Sequence, residues 1–333
     1  MPNNEITVAL LLGGTSPEKE VSKATSKSIM KALYDLGYKV KLINPAYGLM
    51  QPKNEEDFFT EKELTEISNR NYIEAINSTL FDDVDIAFIG LHGKSGEDGT
   101  VQSLLELRGI KYTGSKVLAS SLAMDKHMTK VMLKHFGVST PKWFVIDKNT
   151  TDFTSIQNEI KKSFGYPCVI KPNDQGSTIG LTICRGAVEV EAAIKKALEF
   201  SKNALIEEYI PGREFTIAVI DQQTLPVLEI KPLSGFYDYE SKYTKGKTEY
   251  IVPAEIPQKV AEHLQQQALL AFNSVGCENY ARIDFRVNKD FESFCLEINT
   301  LPGMTSTSLV PKMAKAAGIS FEELIDRIIK FEL

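Results

Sequence analysis

Two short segments near the C-terminus carry the densest set of residues able to do chemistry. Alternation along YARIDFRV (280–287) puts Arg282, Asp284 and Arg286 on one face of a strand, with Ile283, Phe285 and Val287 on the other. Along FCLEIN (294–299) it groups Glu297 with Asn299, opposite Leu296 and Ile298. If the polar Asn288, Lys289 and Asp290 turn the chain as a hairpin, Asp284 lies opposite Glu297 and Arg282 opposite Asn299. Three hard oxygen donors then share a face, which suits Mg²⁺, an octahedral ion that keeps several waters and is completed by substrate phosphates. A solvated sheet face laced with arginine–carboxylate pairs explains the hairpin equally well. The next residues, Asn299 through Thr305 (NTLPGMT), run without a break into small and hydroxyl-bearing positions ahead of a helix, a way to aim backbone N–H groups at an oxyanion.

Lys171 ends an apolar strand before Pro172 and the loop Asn173 to Gly180 (NDQGSTIG). A lysine beside a glycine-bearing, hydroxyl-rich loop is a candidate polyphosphate clamp, although a lone strand-end lysine is more often merely solvated. Lys126, on a helix surface, is a weaker signal. Glu18 follows Thr15-Ser16-Pro17, where an acidic residue behind a serine cap and a proline at the first helical position favours the helix dipole. Its place just past a strand end also lets it bind a substrate ammonium. The familiar nucleotide motifs are missing. Gly13-Gly14 lacks the third glycine of G-x-G-x-x-G, and Gly93-Lys94-Ser95 and Gly246-Lys247-Thr248 have Phe88 and Ser241 where a P-loop needs glycine.

The elements that must position these residues fill a chain of 333 residues, enough for two or three domains. A net charge of -6 argues against nucleic acid as the main partner and makes any phosphate site local. Cys168, Cys184, Cys277 and Cys295 show no C-x-x-C spacing and sit in apolar stretches, which reads as buried thiols in a reducing compartment. No apolar run is long enough for a membrane span, and Ile6 to Leu12 reads as a first strand, so the expectation is a cytoplasmic protein. Residues 1–115 alternate strand-like and helix-like segments, with helices expected from about Pro17 to Leu36 and near 60–79, and so predict a parallel, doubly wound sheet. Gly13-Gly14 and Leu91-His92-Gly93 fall at its strand ends. Residues 116–210 predict a small α+β unit: a helix over about 119–135, YPCVIKP, the loop, GLTICR, a helix through Leu198 and ALIEEYI. Residues 211–333 predict antiparallel strands and two final helices, the last opened by a Ser320–Glu323 capping box. A tyrosine- and lysine-rich stretch, 232–257, has no clean period and reads as a long loop, of a kind that is functional or disordered.

The ordered segments LLGGTSPEKEVS, LHGKSGEDGTVQ, YTGS with MDK, VIKP with QGSTIG, PGREFT, FYDYESKY, ARIDF and LEINTLPGMTSTSLVP closely resemble the D-alanine:D-alanine ligases of the ATP-grasp superfamily, over nearly the whole chain. The resemblance implies a three-domain ATP-grasp fold: an N-terminal substrate domain (1–115), a central subdomain (116–210) and a catalytic C-terminal domain (211–333) with a mobile loop at 232–257. It implies ATP contacts from Lys126, Lys171, Ser177, Thr178, Glu207, Glu208, Tyr209, Ile210, Glu214 and Lys242. Asp284, Glu297 and Asn299 would ligate two magnesium ions, with manganese able to substitute. Glu18 would hold the first D-alanine ammonium, with His92 nearby. Arg282 and the Gly303 N–H would stabilise the oxyanion, Ser308 and the Leu309 N–H would hold the second carboxylate, and Tyr243 would link to Ser177 and Glu18. The implied reaction joins two D-alanines through a D-alanyl phosphate, for peptidoglycan precursors, in a cytoplasmic homodimer with no nucleic acid or membrane partner. Two departures stand out: Glu208 replaces a lysine frequent in relatives, and 46–79 is long and acidic. Rival readings are a ligase taking D-lactate or D-serine second and a non-catalytic ATP-binding homologue; since D-lactate-using relatives commonly have Phe at 243, Tyr243 favours D-alanine as the second substrate.

Overall fold

The structure, a computed structural model, describes residues 2–232 and 248–333; Lys242 and Tyr243 therefore lie outside the described residues. Strands β1 (Thr7–Leu11), β2 (Lys39–Ile43), β3 (Ile86–Ile89) and β4 (Lys111–Tyr112) form a parallel sheet in the order β2-β1-β3-β4. Val8 to Leu11 and Ile86 to Ile89 are buried throughout, as strands covered on both faces must be. Because the strand order reverses between β1 and β3, a crevice opens at their C-terminal ends, where Gly13-Gly14 and His92 sit.

Helix α1 spans Lys19–Asp35, two residues later than expected. The Ser16 hydroxyl donates to the His92 carbonyl (2.6 Å) and accepts from the Glu18 N–H (3.1 Å), so Ser16-Pro17 forms a turn and leaves Glu18 at the N-cap. The helix expected near 60–79 is confined to α2 (Asn69–Ile76), capped by Ser68. The chain before it is tied down instead: Glu63 accepts from Lys19 (2.7 Å) and from the Tyr47 hydroxyl (2.7 Å), beside the buried Lys23. Helix α3 (Thr100–Arg108) leads into β4. The single helix expected over 119–135 is two, α4 (Val117–Met124) and α5 (Lys126–His135), because Asp125 is extended and re-caps the chain by accepting from the Met128 N–H (2.9 Å).

The middle sheet is antiparallel in the order β5-β8-β6-β7, from β5 (Trp143–Asp147), β6 (Cys168–Pro172), β7 (Thr182–Cys184) and β8 (Asn203–Glu208). It is backed by α6 (Phe153–Ser163) and α7 (Val190–Leu198); β5 and α6 were not anticipated. The C-terminal sheet runs β12-β11-β9-β13-β14, with β10 (Gln223–Thr224) beside β9 (Arg213–Ile220). Its other strands are β11 (Leu228–Pro232), β12 (Thr248–Ile251), β13 (Tyr280–Val287) and β14 (Ser293–Asn299). Strand β12 corrects the reading of 232–257 as loop throughout, since residues 248–251 pair with β11 and Tyr250 packs on the core.

Three buried clusters support these layers. The first joins the N-terminal sheet to the helices α9 (Leu309–Ala316) and α10 (Phe321–Lys330), and the second joins β9, β13 and β14 to α8 (Gln258–Ser274) and to Ala123 and Leu133 of α4 and α5. The third fills the middle unit. Leu324, Ile325, Ile328 and Ile329 of α10 are fully buried, and at roughly 1.5–3 kcal/mol per side chain they anchor the C-terminal helices onto the first sheet. Ser320 caps α10 by accepting from the Glu323 N–H (3.1 Å). All four cysteines are buried and free, and among the described residues no helix is long and apolar enough to cross a membrane.

Candidate active site

The β13–β14 hairpin has the register read from alternation: Arg282 pairs with Asn299 and Asp284 with Glu297. A register shift follows at Asp284/Phe285, after which Phe285 faces Cys295 and Leu296 is left over as a bulge. This corrects the placing of Leu296 on the face opposite Glu297, because both line the same cleft. Asp284 is 7% exposed and held on two sides. Arg282 donates to it through Nε (2.9 Å) and Nη2 (2.8 Å), and the Thr216 hydroxyl, opposite on β9, donates to Oδ1 (2.6 Å). Asn299 accepts from the Leu301 N–H (3.1 Å), which fixes the turn into the NTLPGMT segment.

A cleft lies between the middle and C-terminal sheets. Its walls carry Lys126, Lys171, Thr178, Glu207, Glu208, Tyr209, Ile210, Glu214, Asp284 and Glu297. Lys126 opens α5, donates to the Gln175 carbonyl (2.6 Å) and lies 3.5 Å from Glu297. Glu207 is buried and bridges Lys171 (2.6 Å) and Lys130 (2.8 Å). Burial opposes its ionisation, but the two ammonium groups outweigh that penalty and hold its carboxyl below the usual range. Arg286 donates to the Ile210 carbonyl and the Tyr209 hydroxyl (3.3 Å each) and pairs with Glu214 (3.4 Å), organising the far wall.

A second cleft adjoins the first, Glu297 and Gly176 lining both. It gathers Glu18, His92, Ser177, Arg282, Asn299, Gly303, Ser308 and Leu309 from the N-cap of α1, the loops after β3 and β6, the hairpin, the segment after it and the start of α9. The Ser177 hydroxyl donates to Glu18, and Ser177 and Thr178 hold φ of 51° and 63°, a region that side-chain-bearing residues enter only under constraint. Gly93 (φ 70°) passes so close to Glu18 that a Cβ there would lie 2.8 Å from Oε2. His92 is buried between Glu97 (Nδ1, 3.2 Å) and Thr25 (Nε2, 3.1 Å). The Ser308 hydroxyl accepts from the Thr305 N–H (3.0 Å), at the head of a helix whose first N–H groups are available to a carboxylate.

Lys130, Thr216, Arg286 and Glu97 escaped the sequence reading as contributors to the site. Arg286 shares the parity of Arg282 and Asp284, and Lys130 stands four residues from Lys126 on one helical face, so a signal existed for both. Thr216 and Glu97 give none without the fold.

The family model described as D-ala D-ala ligase N-terminus matches residues 7–115, and that described as D-ala D-ala ligase C-terminus matches residues 132–330. The chain is 43% identical over 322 residues to the D-alanine--D-alanine ligase of Syntrophotalea carbinolica, covering 97% of this chain and 94% of that one. It is 41% identical over 332 residues to that of Carboxydothermus hydrogenoformans, covering 98% of each. Among solved structures it resembles the Bacillus anthracis D-alanine--D-alanine ligase complexed with ATP (TM-score 0.77, 33% identity, 98% and 96% of the two chains). It also resembles the VanG D-Ala:D-Ser ligase of Enterococcus faecalis (TM-score 0.82, 29% identity, 98% and 99%).

Proposed function

The chain belongs to the D-alanine--D-alanine ligase family, and from that premise we propose how its residues join two D-alanines at the expense of ATP. A carboxylate is a poor electrophile and direct condensation runs uphill in water. The first D-alanine carboxylate therefore takes the γ-phosphoryl group of ATP, and the amine of the second D-alanine displaces phosphate from the resulting D-alanyl phosphate. The protein's work is positioning and charge stabilisation.

Glu18, held by Ser177, receives the ammonium of the first D-alanine, with His92 alongside. Ser308 and the Leu309 N–H take the carboxylate of the second. Arg282 and the Gly303 N–H face the oxygen that becomes anionic when the amine attacks. ATP occupies the cleft between the two antiparallel sheets, its phosphates toward Lys126, Lys171, Ser177 and Thr178 and its base and ribose along Glu207 to Ile210 and Glu214. Asp284, Glu297 and Asn299 supply only oxygen donors, a set that fits magnesium, or manganese in its place. Bound magnesium would neutralise phosphate charge as the phosphoryl group moves. The four buried free thiols support a cytoplasmic setting, and the exposed Leu49, Met50 and Ile73 support a homodimer through the first domain.

The observation that carries this reading is the shared wall: Glu297 lines both the nucleotide cleft and the substrate cleft. The test is phosphate release from ATP and Mg²⁺ with D-alanine, L-alanine, D-alanine plus D-serine or D-alanine plus D-lactate, with products identified by mass spectrometry. D-Alanyl-D-alanine formed only with ATP and the D-enantiomer supports it. A mixed D-alanyl-D-serine product in preference would overturn the choice of second substrate.

A further inference from the structure

Lys130 is fully buried, yet no step above uses it. Its ammonium stands where α5, the start of β5, the end of β8 and β14 converge. It lies 2.8 Å from Glu207 Oε2, donates to the Thr140 hydroxyl (2.7 Å) and the Pro141 carbonyl (3.4 Å), and sits over the Trp143 ring (5.5 Å to its centre). Thr140 in turn donates to the Cys295 carbonyl (2.8 Å), so the group bridges the two sheets that enclose the nucleotide cleft. The other oxygen of Glu207 pairs with Lys171 at 2.6 Å, and Lys171 and Glu207 both line that cleft while Lys130 does not.

We propose that Lys130 is a positioning residue for nucleotide binding: by occupying one carboxylate oxygen of Glu207 from beneath, it keeps the Lys130–Glu207–Lys171 group net cationic and leaves Lys171 available to phosphate. The inference rests on the cleft being the ATP site. Burial pushes the Lys130 pKa down, while the charge and hydrogen bond of Glu207 at 2.8 Å oppose that loss. With Lys130 held protonated by this contact, two ammonium groups and one carboxylate leave a single positive charge facing the polyphosphate. Without Lys130, the carboxylate and Lys171 neutralise each other in a buried pair, where opposite charges are weakly screened and exchange of partners is unfavourable. Lys171 is then held against Glu207 and contributes little to an anion.

The experiment measures ATP dissociation constants and separate KM values for ATP and D-alanine in the full-length enzyme, for the wild type, Lys130→Met, and Lys130→Met combined with Glu207→Gln. Wild-type binding and turnover are measured first; absence of ATP binding there would count against the site itself, not against Lys130. Lys130→Met is expected to weaken ATP binding at least tenfold, with a parallel rise in KM for ATP and a D-alanine KM within twofold of wild type. The double variant removes both charges and frees Lys171, so it should bind ATP several-fold more tightly than Lys130→Met. ATP affinity unchanged in Lys130→Met, with only thermal stability lowered, would overturn the proposal. So would a double variant that binds no better than the single one. If Lys130→Met does not fold, Lys130→Arg supplies the same comparison: retained charge should keep ATP affinity within a few-fold, and a tenfold loss would refute the charge argument.

Discussion

Ser177, on the loop after β6, donates a hydrogen bond to Glu18 at the head of α1, closing a link between residues 159 positions apart. The loop beside the first cleft and the carboxylate proposed to receive the first substrate's ammonium are thereby joined into one mechanical unit. Ser177 can hold its left-handed backbone because this contact restrains it from outside the loop.

That link should appear as an energetic coupling. Ser177→Ala and Glu18→Gln each lower kcat/KM for D-alanine, and the double variant should lose less than the product of the two. The shortfall should correspond to roughly 1.5–3 kcal/mol, the range for a hydrogen bond to a charged group. Steady-state kinetics of the four enzymes measure it; strictly multiplicative losses would show the two residues to act independently.

Arg282 is held by Asp284 in a bidentate pair and lines the cleft proposed to receive the D-alanines. Arg282→Ala should lower kcat by a factor equivalent to about 3–4 kcal/mol, as when one oxyanion donor is lost. It should also raise the magnesium concentration needed for half-maximal rate, because Asp284 loses the group that orients it. A loss in kcat of less than tenfold would remove Arg282 from the chemistry.

Much of this site was legible in the chain. The period-2 pattern of 280–287 and 294–299, taken with a hairpin turn at Asn288 to Asp290, placed Asp284 opposite Glu297 without knowledge of the fold, as the register bears out. The bulge at Leu296 was not legible, since an extra residue in one strand leaves no compositional mark. Nor was the break at Asp125, where a single capping carboxylate overrides helical periodicity that runs on through both sides. The strand Thr248–Ile251 was hidden by its polar, tyrosine-rich surroundings; its pairing with β11 is a tertiary fact. The roles of Lys130 and Thr216 depend on which strands become neighbours, and composition says nothing of that.

Chelation gives a direct test of the oxygen-only donor set. With EDTA in excess, ligation and phosphate release should both stop and return on adding Mg²⁺ or Mn²⁺. Glu297→Gln should shift the metal requirement upward by an order of magnitude or more while leaving the fold intact, as a thermal melt would show. Full activity in EDTA would rule out the magnesium role of Asp284, Glu297 and Asn299.

The acidic segment 46–79 gives the last prediction. Glu63 accepts from Lys19 and from Tyr47 and sits 3.7 Å from the buried Lys23, so it clamps that segment to the helix bearing Glu18. Partial burial raises its pKa, but the Lys19 and Tyr47 hydrogen bonds and the charge of Lys23 outweigh this and hold it below the ordinary 4.5. A carboxylate with a depressed folded-state pKa contributes stability that is whole above the unfolded value and is lost as pH falls through the folded one. Glu63→Gln should therefore lower the melting temperature at pH 7, by an amount corresponding to about 1 kcal/mol or less because water screens the pairs. The gap from wild type should narrow as pH falls below 4.5. Because Glu18 stands at the N-cap position of the same helix, the variant should also raise the KM for D-alanine more than that for ATP. Melting curves at pH 7 and in the acid range, with the two KM values, decide it; a gap that stays constant with pH would place the clamp's contribution in packing instead of charge.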